Sequence, residues 1–576
     1  MVSAPRVINP IQAGDSQITG DFSIQEANDL ANILQVGRLP AKTRIVQQSL
    51  VGPSLGQENI NKSITAMVVG MALLLAFMIV YYGGGGVVAI IALVLNLFFV
   101  FGALASIGTV LTLPGVAGVI LTIGMAVDAN VIIFERIREE LREGKSLMMA
   151  IGDGFKNSYS AIIDANVTTI LVAMVLAYFG MGPIKGFAVV LIIGVLSSLF
   201  TAVLVGRLLI DSWTKNGRSL SFWTKPTENA FANMKIDWMG RRRIAYILSG
   251  TMIVLGLIAM FTRKFDLGVD FKGGYSYNVT FGSDQQVDAE QIRTTLTDVF
   301  DGHQPTVKAV DTYNTFNIVT DYLIGVEEKV DGVEPEEKVM EQLYAGINSI
   351  TSDELSLVNF KDTDGSGTHI TASSEVGPTI ADDIKRRAFY AGILALLVIF
   401  LYIFLRFSKW QYSLGAVAAL FHDSLIVLGI FAMFHGILPF SMEIDQAFIA
   451  AILTVIGYSI NDTVIVFDRI REYLNNYTKQ SKLETINAAI NSTVSRTVIT
   501  SLTTLFTITV LFVFGGSSIK GFAFAIMMGI IVGTYSSIFI ATPIMADLTG
   551  ELEVKEKKTT GGGKKGSFTR ATSTAK

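Results

Sequence analysis

Cysteine is absent from the 576-residue chain, which excludes a disulfide framework, a thiolate metal site and a cysteine nucleophile. Histidine is scarce as well: the four present have no helical pairing, so no histidine metal site is expected. No Ser, His and Asp set, no paired carboxylates outside apolar runs and no nucleotide-binding loop is found. An enzyme is therefore not expected, nor a cofactor, and energy would have to come from an ion gradient or a partner. The opening MVSAPRVINPIQAGDSQ has neither a basic n-region nor an apolar h-region, so no secretory signal or N-terminal anchor is read there. A leading polar segment without an insertion signal suggests that it is the end of a larger domain. Charge is the last scarcity: 16% of residues are Asp, Glu, Lys or Arg against 51% hydrophobic, with formal net charge −4 and mean hydropathy +0.50. That balance is too apolar for a soluble chain of this length and places it in a lipid bilayer, with no nucleic acid expected as partner.

What is present is long apolar runs. No Asp, Glu, Lys or Arg occurs from Ser63 to Val127, and at about 20 residues per crossing this stretch fits three helices, the first two separated by Gly83 to Gly86. Further runs at Ala165 to Ile184 and Gly186 to Gly206 complete five spans in the first half. Six follow: Ile244 to Thr262, Ala388 to Leu405, Ser413 to Phe434, Gln446 to Phe467, Thr497 to Phe514 and Gly521 to Ala546. Segments 135–157, 211–243 and 548–576 carry five, seven and seven basic residues, whereas the turns at 105–112 and 437–445 carry none. The positive-inside rule then puts residues 1–60 and 263–386 outside and the C-terminus in the cytoplasm.

The outer segment reads as strand Tyr275 to Phe281, helix Asp288 to Phe300, strands Val307 to Val310 and Thr315 to Asp321, helix Glu334 to Ile350 and strand His369 to Ala372, a βαββαβ order that predicts a ferredoxin-like α+β domain. Gly273 and Gly274 are expected to make the tight turn that enters it. The expected organisation is a domain remnant at 1–60 with one helix near Ser23 to Leu34, a five-helix bundle at 61–213 and a linker at 214–243. A single helix at 244–262 follows, then the outer domain at 263–386, a second five-helix bundle at 387–548 and a disordered tail at 549–576.

An internal repeat decides the architecture. VGPSL at Val51 matches VGPTI at Val376, GMAVDANVIIFERIREEL at Gly124 matches GYSINDTVIVFDRIREYL at Gly457, and IKGFA occurs at Ile184 and Ile519, giving offsets of 325, 333 and 335. Matched blocks in one order imply two similar membrane bundles related by an axis near the membrane normal.

Ionisable residues inside the bilayer are costly, about 2.5 to 3.5 kcal/mol or more at mid-depth, and mark function by default. Asp128 and Asp462 stand deep in otherwise uncharged helices. The repeat aligns Asp128 with Asn461, so the two acids are staggered by one residue, a rotation of about 100°. Arg496 stands where the first half has Ala161, and is the expected partner of Asp462, with Asp128 the second candidate; a guanidinium that approaches or withdraws would change a carboxylate's proton affinity. Asp128, Asp462 and Arg496 are therefore the candidate proton-translocation set, with Asn130, Asp164, Asp423 and Asn461 as secondary polar candidates. Glu135, Arg136, Arg138, Glu139, Asp468, Arg469, Arg471 and Glu472 follow the acidic helices and are expected to anchor topology through i,i+3 and i,i+4 pairs.

GMAVDANVIIFERIREE resembles the SecD membrane motif, and GVDFKGG, VGPTIADDI, GYSINDTVIVFDRIRE and SRTVITSLTTL resemble SecF, components of the bacterial Sec translocon in the RND superfamily. ITGDFSIQEANDLANILQVGRLPA resembles the end of SecD's large periplasmic domain, whose greater part, with the first SecD helix, has no counterpart here. The resemblance implies an α-helical polytopic inner-membrane protein with two pseudo-symmetric RND-type bundles. It implies a function too: an accessory of the protein translocase, working with the SecYEG channel, SecA and YajC, that uses the proton-motive force to move unfolded preprotein. Two other readings stay open, an RND-type exporter of a lipid or drug and a non-transporting translocon scaffold.

Overall fold

In a bilayer every backbone N–H and C=O must be satisfied within its own segment, which makes uncharged runs of this length fold as helices. The computed structural model describes residues 47–549, apart from 110, 216, 232–233, 283–286, 311–313, 327, 352–354, 364, 366 and 477–480, together with Ala27, Leu30 and Ala31. Among the described residues eleven helices are long and apolar enough to cross a membrane. Spans 1 to 5 are Leu55–Tyr82, Gly84–Ile107, Leu113–Arg142, Leu147–Phe179 and Pro183–Thr214; span 6 is Arg242–Thr262; spans 7 to 11 are Pro378–Phe407, Trp410–Phe434, Gln446–Asn476, Lys482–Phe514 and Ser517–Leu548. The helix expected near residue 23 and the tail beyond Thr549 lie outside the described residues, save for three helical positions at Ala27, Leu30 and Ala31.

Several boundaries differ from expectation. The first helix starts at Pro53, not after residue 60, and span 7 starts at Pro378, not at 387. Both open on a Gly-Pro pair with proline at the first helical turn, where its missing N–H costs nothing, so the helices continue past the apolar core as rigid posts. Span 6 likewise begins at Arg242, two residues early, and span 5 runs to Thr214.

The outer domain has strands β2 (Gly274–Thr280), β3 (Thr306–Ala309), β4 (Thr315–Thr320) and β5 (His369–Val376), with helices Ala289–Val299 and Pro335–Ile350. The antiparallel order β5-β2-β4-β3 is that of a ferredoxin-like domain. A fifth strand was not foreseen: β1 (Gln47–Val51), just ahead of span 1, pairs antiparallel with β5, Gln47 opposite Val376 and Val51 opposite Ala372. It also explains why β5 runs on to Val376. Alternation along β2 divides the faces. Tyr275, Tyr277 and Val279 pack with Leu296 and Leu343 beneath the helices, while Ser276, Asn278 and Thr280 line a cavity of about 460 Å³ between sheet and membrane. Gly273 and Gly274 both have positive φ, 74° and 130°, and a Cβ on Gly274 would meet Thr320 O at 2.5 Å, so the entry turn requires glycine.

The bundles pack around glycine. A Cβ on Gly529 would lie 2.0 Å from Val455 Cγ2, and one on Gly256 3.0 Å from the Cα of Gly429, so the Val455 side chain of span 9 sits against the backbone of span 11, and spans 6 and 8 cross backbone to backbone. The two halves are tied reciprocally at the membrane face away from the sheet. Arg136 bonds Glu472 at 3.3 Å and Arg469 bonds Glu139, and since 469 − 136 and 472 − 139 both equal 333, these are one contact repeated about the pseudo-twofold axis. The i,i+3 pairs expected in these segments are present too, Arg138 with Glu135 and Arg469 with Glu472, both at 2.8 Å.

Candidate functional site

Span 10 lies between the two acids and is rich in hydroxyls: Thr497, Thr500, Ser501, Thr503, Thr504 and Thr507 are all buried. The repeat equivalents on span 4 are Ile162, Ala165, Asn166, Thr168, Thr169 and Val172, so only the second half carries this face in full. Thr503 Oγ1 donates to Asp128 Oδ1 at 3.5 Å, and Ser501 Oγ donates to Asp462 Oδ2 at 3.2 Å. Span 11 adds Thr534 Oγ1, 3.5 Å from the same oxygen and 2.6 Å from Ser501 Oγ. Asp128 and Asp462 are 7% and 1% exposed and close enough for their charges to interact. Asp462 Oδ1 is buried with no hydrogen-bond partner among the described residues.

The one-residue stagger accounts for this convergence. Asp462 faces spans 10 and 11 of its own half. An acid at its exact equivalent, Ala129, would face spans 4 and 5, whereas one residue earlier is rotated by about 100° and points Asp128 across the interface between halves to span 10. Contact is close there: a Cβ on Gly124 would meet Thr507 Oγ1 at 2.6 Å. Span 3 also breaks where span 9 does not. Its helix stops at Ala126 and resumes at Asp128, with Val127 N–H turned to Met125 O, so Asp128 opens a new helical segment near the middle of the span.

Arg496 departs from expectation. Among the described residues no ion pair within 4.0 Å joins it to either aspartate, although its charge reaches Asp462. Its side chain instead lines a cavity of about 690 Å³ at the face away from the sheet, with Glu135, Glu139, Arg469, Glu472 and Ser495, and its Nε is buried without a hydrogen-bond partner. The reason is angular: Arg496 stands five residues before Ser501, about 1.4 turns nearer that face and about 140° around the helix.

The secondary candidates separate. Asp164 is bonded across the bundles, Oδ2 accepting from Arg406 Nε at 2.6 Å and Oδ1 from Tyr402 at 2.8 Å, and so fastens span 4 to span 7. Asn130 Nδ2 and Asn461 Oδ1 are buried without partners among the described residues. Asp423 is fully buried and accepts from Ser459 and Ser536. Sequence reasoning missed Ser501, Thr503 and Thr534, and also two π-helical segments, Thr201–Val205 in span 5 and Ser537–Ala541 in span 11. These occupy matching places in the two halves, and such segments cluster at functional sites. Among the described residues no group of three or more His, Asp or Glu could hold a metal.

Two related helical bundles with an α+β domain inserted after the first helix of the second, and carboxylates at mid-membrane, define an RND-type polytopic membrane protein. Profiles for known families agree. "Protein export membrane protein SecD/SecF, C-terminal" matches residues 35–216 and 357–551, "SecD/SecF GG Motif" matches 258–285 around Gly273 and Gly274, and "SecDF, P1 head subdomain" matches 1–41. The chain is 34% identical to protein translocase subunit SecDF of Bacillus subtilis over 566 residues, 94% of this chain and 71% of that protein. It is 43% identical to SecF of Rhodothermus marinus over 330 residues, 57% of this chain and 98% of that one. The crystal structure of SecDF from Thermus thermophilus, described as a translocon-associated membrane protein, superposes with a TM-score of 0.77 at 33% identity, covering 95% of this chain and 70% of that one. The chain belongs to the SecDF family, as its motifs implied.

Proposed function

We propose that this protein is an accessory of the Sec translocase that uses the proton-motive force to draw preprotein across the inner membrane. The observation that carries the reading is the convergence of Asp128 and Asp462 on the hydroxyl face of span 10. A carboxylate costs about 2.5 to 3.5 kcal/mol or more at this depth, and a pair close enough to interact costs more when both are charged. Few and weak hydrogen bonds offset that cost here, so a proton on one of the pair relieves it. The cavity lined by Arg496 lies between span 10 and the basic face, which the Lys and Arg asymmetry assigns to the cytoplasm, and the β-sheet domain then stands in the periplasm. Arg496, on the same helix as Ser501 and Thr503, is placed to favour the ionised carboxylate when span 10 shifts toward it and so to release the proton inward. The relatives' names support the translocase, and from the family SecYEG, SecA and YajC are the expected partners and no cofactor is needed.

The test is preprotein export into membrane vesicles with matched protein content and orientation. Asp128→Asn, Asp462→Asn and Arg496→Ala are expected to abolish gradient-stimulated export while leaving gradient-independent export intact. Undiminished stimulation in all three would leave a translocon scaffold as the better reading.

A further inference from the structure

The second half holds another ionisable pair that the Asp128 and Asp462 reading does not use. His422 and Asp423 sit at the middle of span 8, 5% and 0% exposed. Asp423 Oδ1 meets His422 Nδ1 at 2.9 Å, and Oδ2 accepts from Ser459 Oγ of span 9 at 2.6 Å and from Ser536 Oγ of span 11 at 2.8 Å. Both serines are fully buried, and His422 Nε2 is buried with no hydrogen-bond partner among the described residues. Aligning Ala89, Ala92 and Leu93 with Ala416, Ala419 and Leu420 sets Asp423 against Asn96, since 423 − 327 is 96. Asn96 carries no titratable group and only donates to Gly194 O at 3.3 Å, so the pair has no counterpart in the first half.

Protonation arithmetic defines what the pair can do. Ser459 and Ser536 both donate to Asp423, an arrangement that suits its ionised form; in that form it can only accept, so His422 Nδ1 carries the shared hydrogen and Nε2 is the open position. With Nε2 bare the pair has a net charge of −1 in the bilayer centre. With Nε2 protonated it becomes an internally compensated imidazolium and carboxylate. Among the described residues no Lys or Arg lies within 4.0 Å of Asp423 to do this instead. Span 11 presents Tyr535, its ring stacked 6.1 Å from His422 and its hydroxyl bonded to Ser249 and Ala245 O of span 6. Span 9 carries Asp462 and Tyr458 near this level, and the titratable and charged residues of span 6, Arg242, Arg243 and Tyr246, all stand in its first five positions at the basic end. Span 7 has none between Tyr390 and Tyr402, and Asp547, in the last helix of span 11, lies at the basic end.

We propose that His422 and Asp423 form a second proton-binding site, specific to the second half, at which His422 Nε2 takes one proton from water and Asp423 transmits the change to spans 9 and 11 through Ser459 and Ser536. Those are the helices that hold Asp462. Ser459 lies one turn before it, Thr534 contacts it, and Ser536 immediately precedes the π-helical Ser537–Ala541. Proton occupancy at His422 therefore alters the packing around Asp462 without touching it.

The test uses the full chain in lipid nanodiscs with nitrogen-15 histidine, the His422 signal being assigned by its loss in His422→Gln. In the unaltered protein the signal is expected to convert between imidazole and imidazolium within the pH range over which the protein stays folded. Asp423→Asn and Ser459→Ala are each expected to move that midpoint by at least about one unit. Asp128→Asn is expected to leave the conversion in place, so its outcome is independent of the proton-motor reading. A His422 signal fixed in one form throughout that range overturns the proposal whether or not any variant folds, and so does a midpoint that stays unmoved in a folded Asp423→Asn.

Discussion

At Asp462 one carboxylate oxygen has two hydroxyl neighbours and the other has none among the described residues. Ser501 and Thr534 are thus its only hydrogen-bond donors among the described residues, and Asp128 has Thr503 at 3.5 Å. Removing one donor from a buried carboxylate costs on the order of 1 to 3 kcal/mol. Ser501→Ala and Thr503→Ala are therefore expected to slow gradient-driven export several-fold, as measured in vesicles. Thr168→Ala, the equivalent of Thr503 in the first half, removes a hydroxyl that bonds only to Ala165 O and should leave the rate unchanged. The aspartates were legible in the sequence because a charge in an uncharged run stands out. The hydroxyls were not, since serine and threonine are common in membrane helices and only the fold shows which of them face a carboxylate. Arg496 was legible as a residue, but not its distance from the pair: five residues of helix turn it toward the cavity, and among the described residues it makes no direct ion pair with Asp462.

Among the elements, span 9 joins the outer domain to the site. Its N-terminus is held from outside the membrane: Asp445 Oδ1 accepts from Phe448 N–H at 2.7 Å, Asp270 accepts from Gln446 N–H at 3.1 Å, and Leu267 bridges Ile444. Lys308 of β3 bonds Asp266 at 2.6 Å and Glu443 at 2.5 Å; burial pulls its ammonium down, but these two carboxylates hold it up overall. Burial, with the charge of Asp270 adding to it, pushes Asp445 up to about 7. A raised carboxyl binds more protons folded than unfolded. The joint is thus most stable below the ordinary carboxylate range and weakens as pH rises toward 7. Exchange protection at 441–449, corrected for the intrinsic rise of amide exchange with pH, is expected to fall between about pH 4 and 7, and Asp445→Asn should flatten that dependence. Where span 9 meets span 11, Gly529→Leu is expected to cost several kcal/mol, since its Cβ alone overlaps Val455, and thermal unfolding in detergent measures the loss. The break at Val127 and the π-helical Thr201–Val205 carry no proline, so packing between helices sets them and they were invisible in the sequence; Ser537–Ala541 is followed by Pro543, whose missing N–H is a local signal for it.

For the whole molecule, duplication was the most legible feature and asymmetry the least. Eleven spans, the βαββαβ order and the drift of the repeat offset could all be read from hydropathy and matched blocks. The pairing of β1 with β5 could not, because the partners are more than 300 residues apart and all five residues of Gln47–Val51 are exposed, with no hydrophobic alternation to mark them. The reciprocal contacts of Arg136 with Glu472 and Arg469 with Glu139 hold the halves at the basic face, but Glu472 is 40% exposed there. A double-mutant cycle on Arg136 and Glu472 is accordingly expected to give a coupling of no more than about 1 kcal/mol, reduced by salt. These salt bridges would then offer little resistance to a shift of one half on the other, which a device that moves Arg496 relative to Asp462 requires.

That requirement is tested most directly by the ratio of preprotein export with a proton gradient to export with the gradient collapsed, measured in the same vesicles for the unaltered protein and for Asp462→Asn. A ratio well above one for the unaltered protein that falls to one in the variant, with equal rates once the gradient is removed, is what proton coupling through the buried pair demands. A ratio that survives the substitution unchanged means that the gradient acts elsewhere and that Asp462 serves only to hold spans 9, 10 and 11 together.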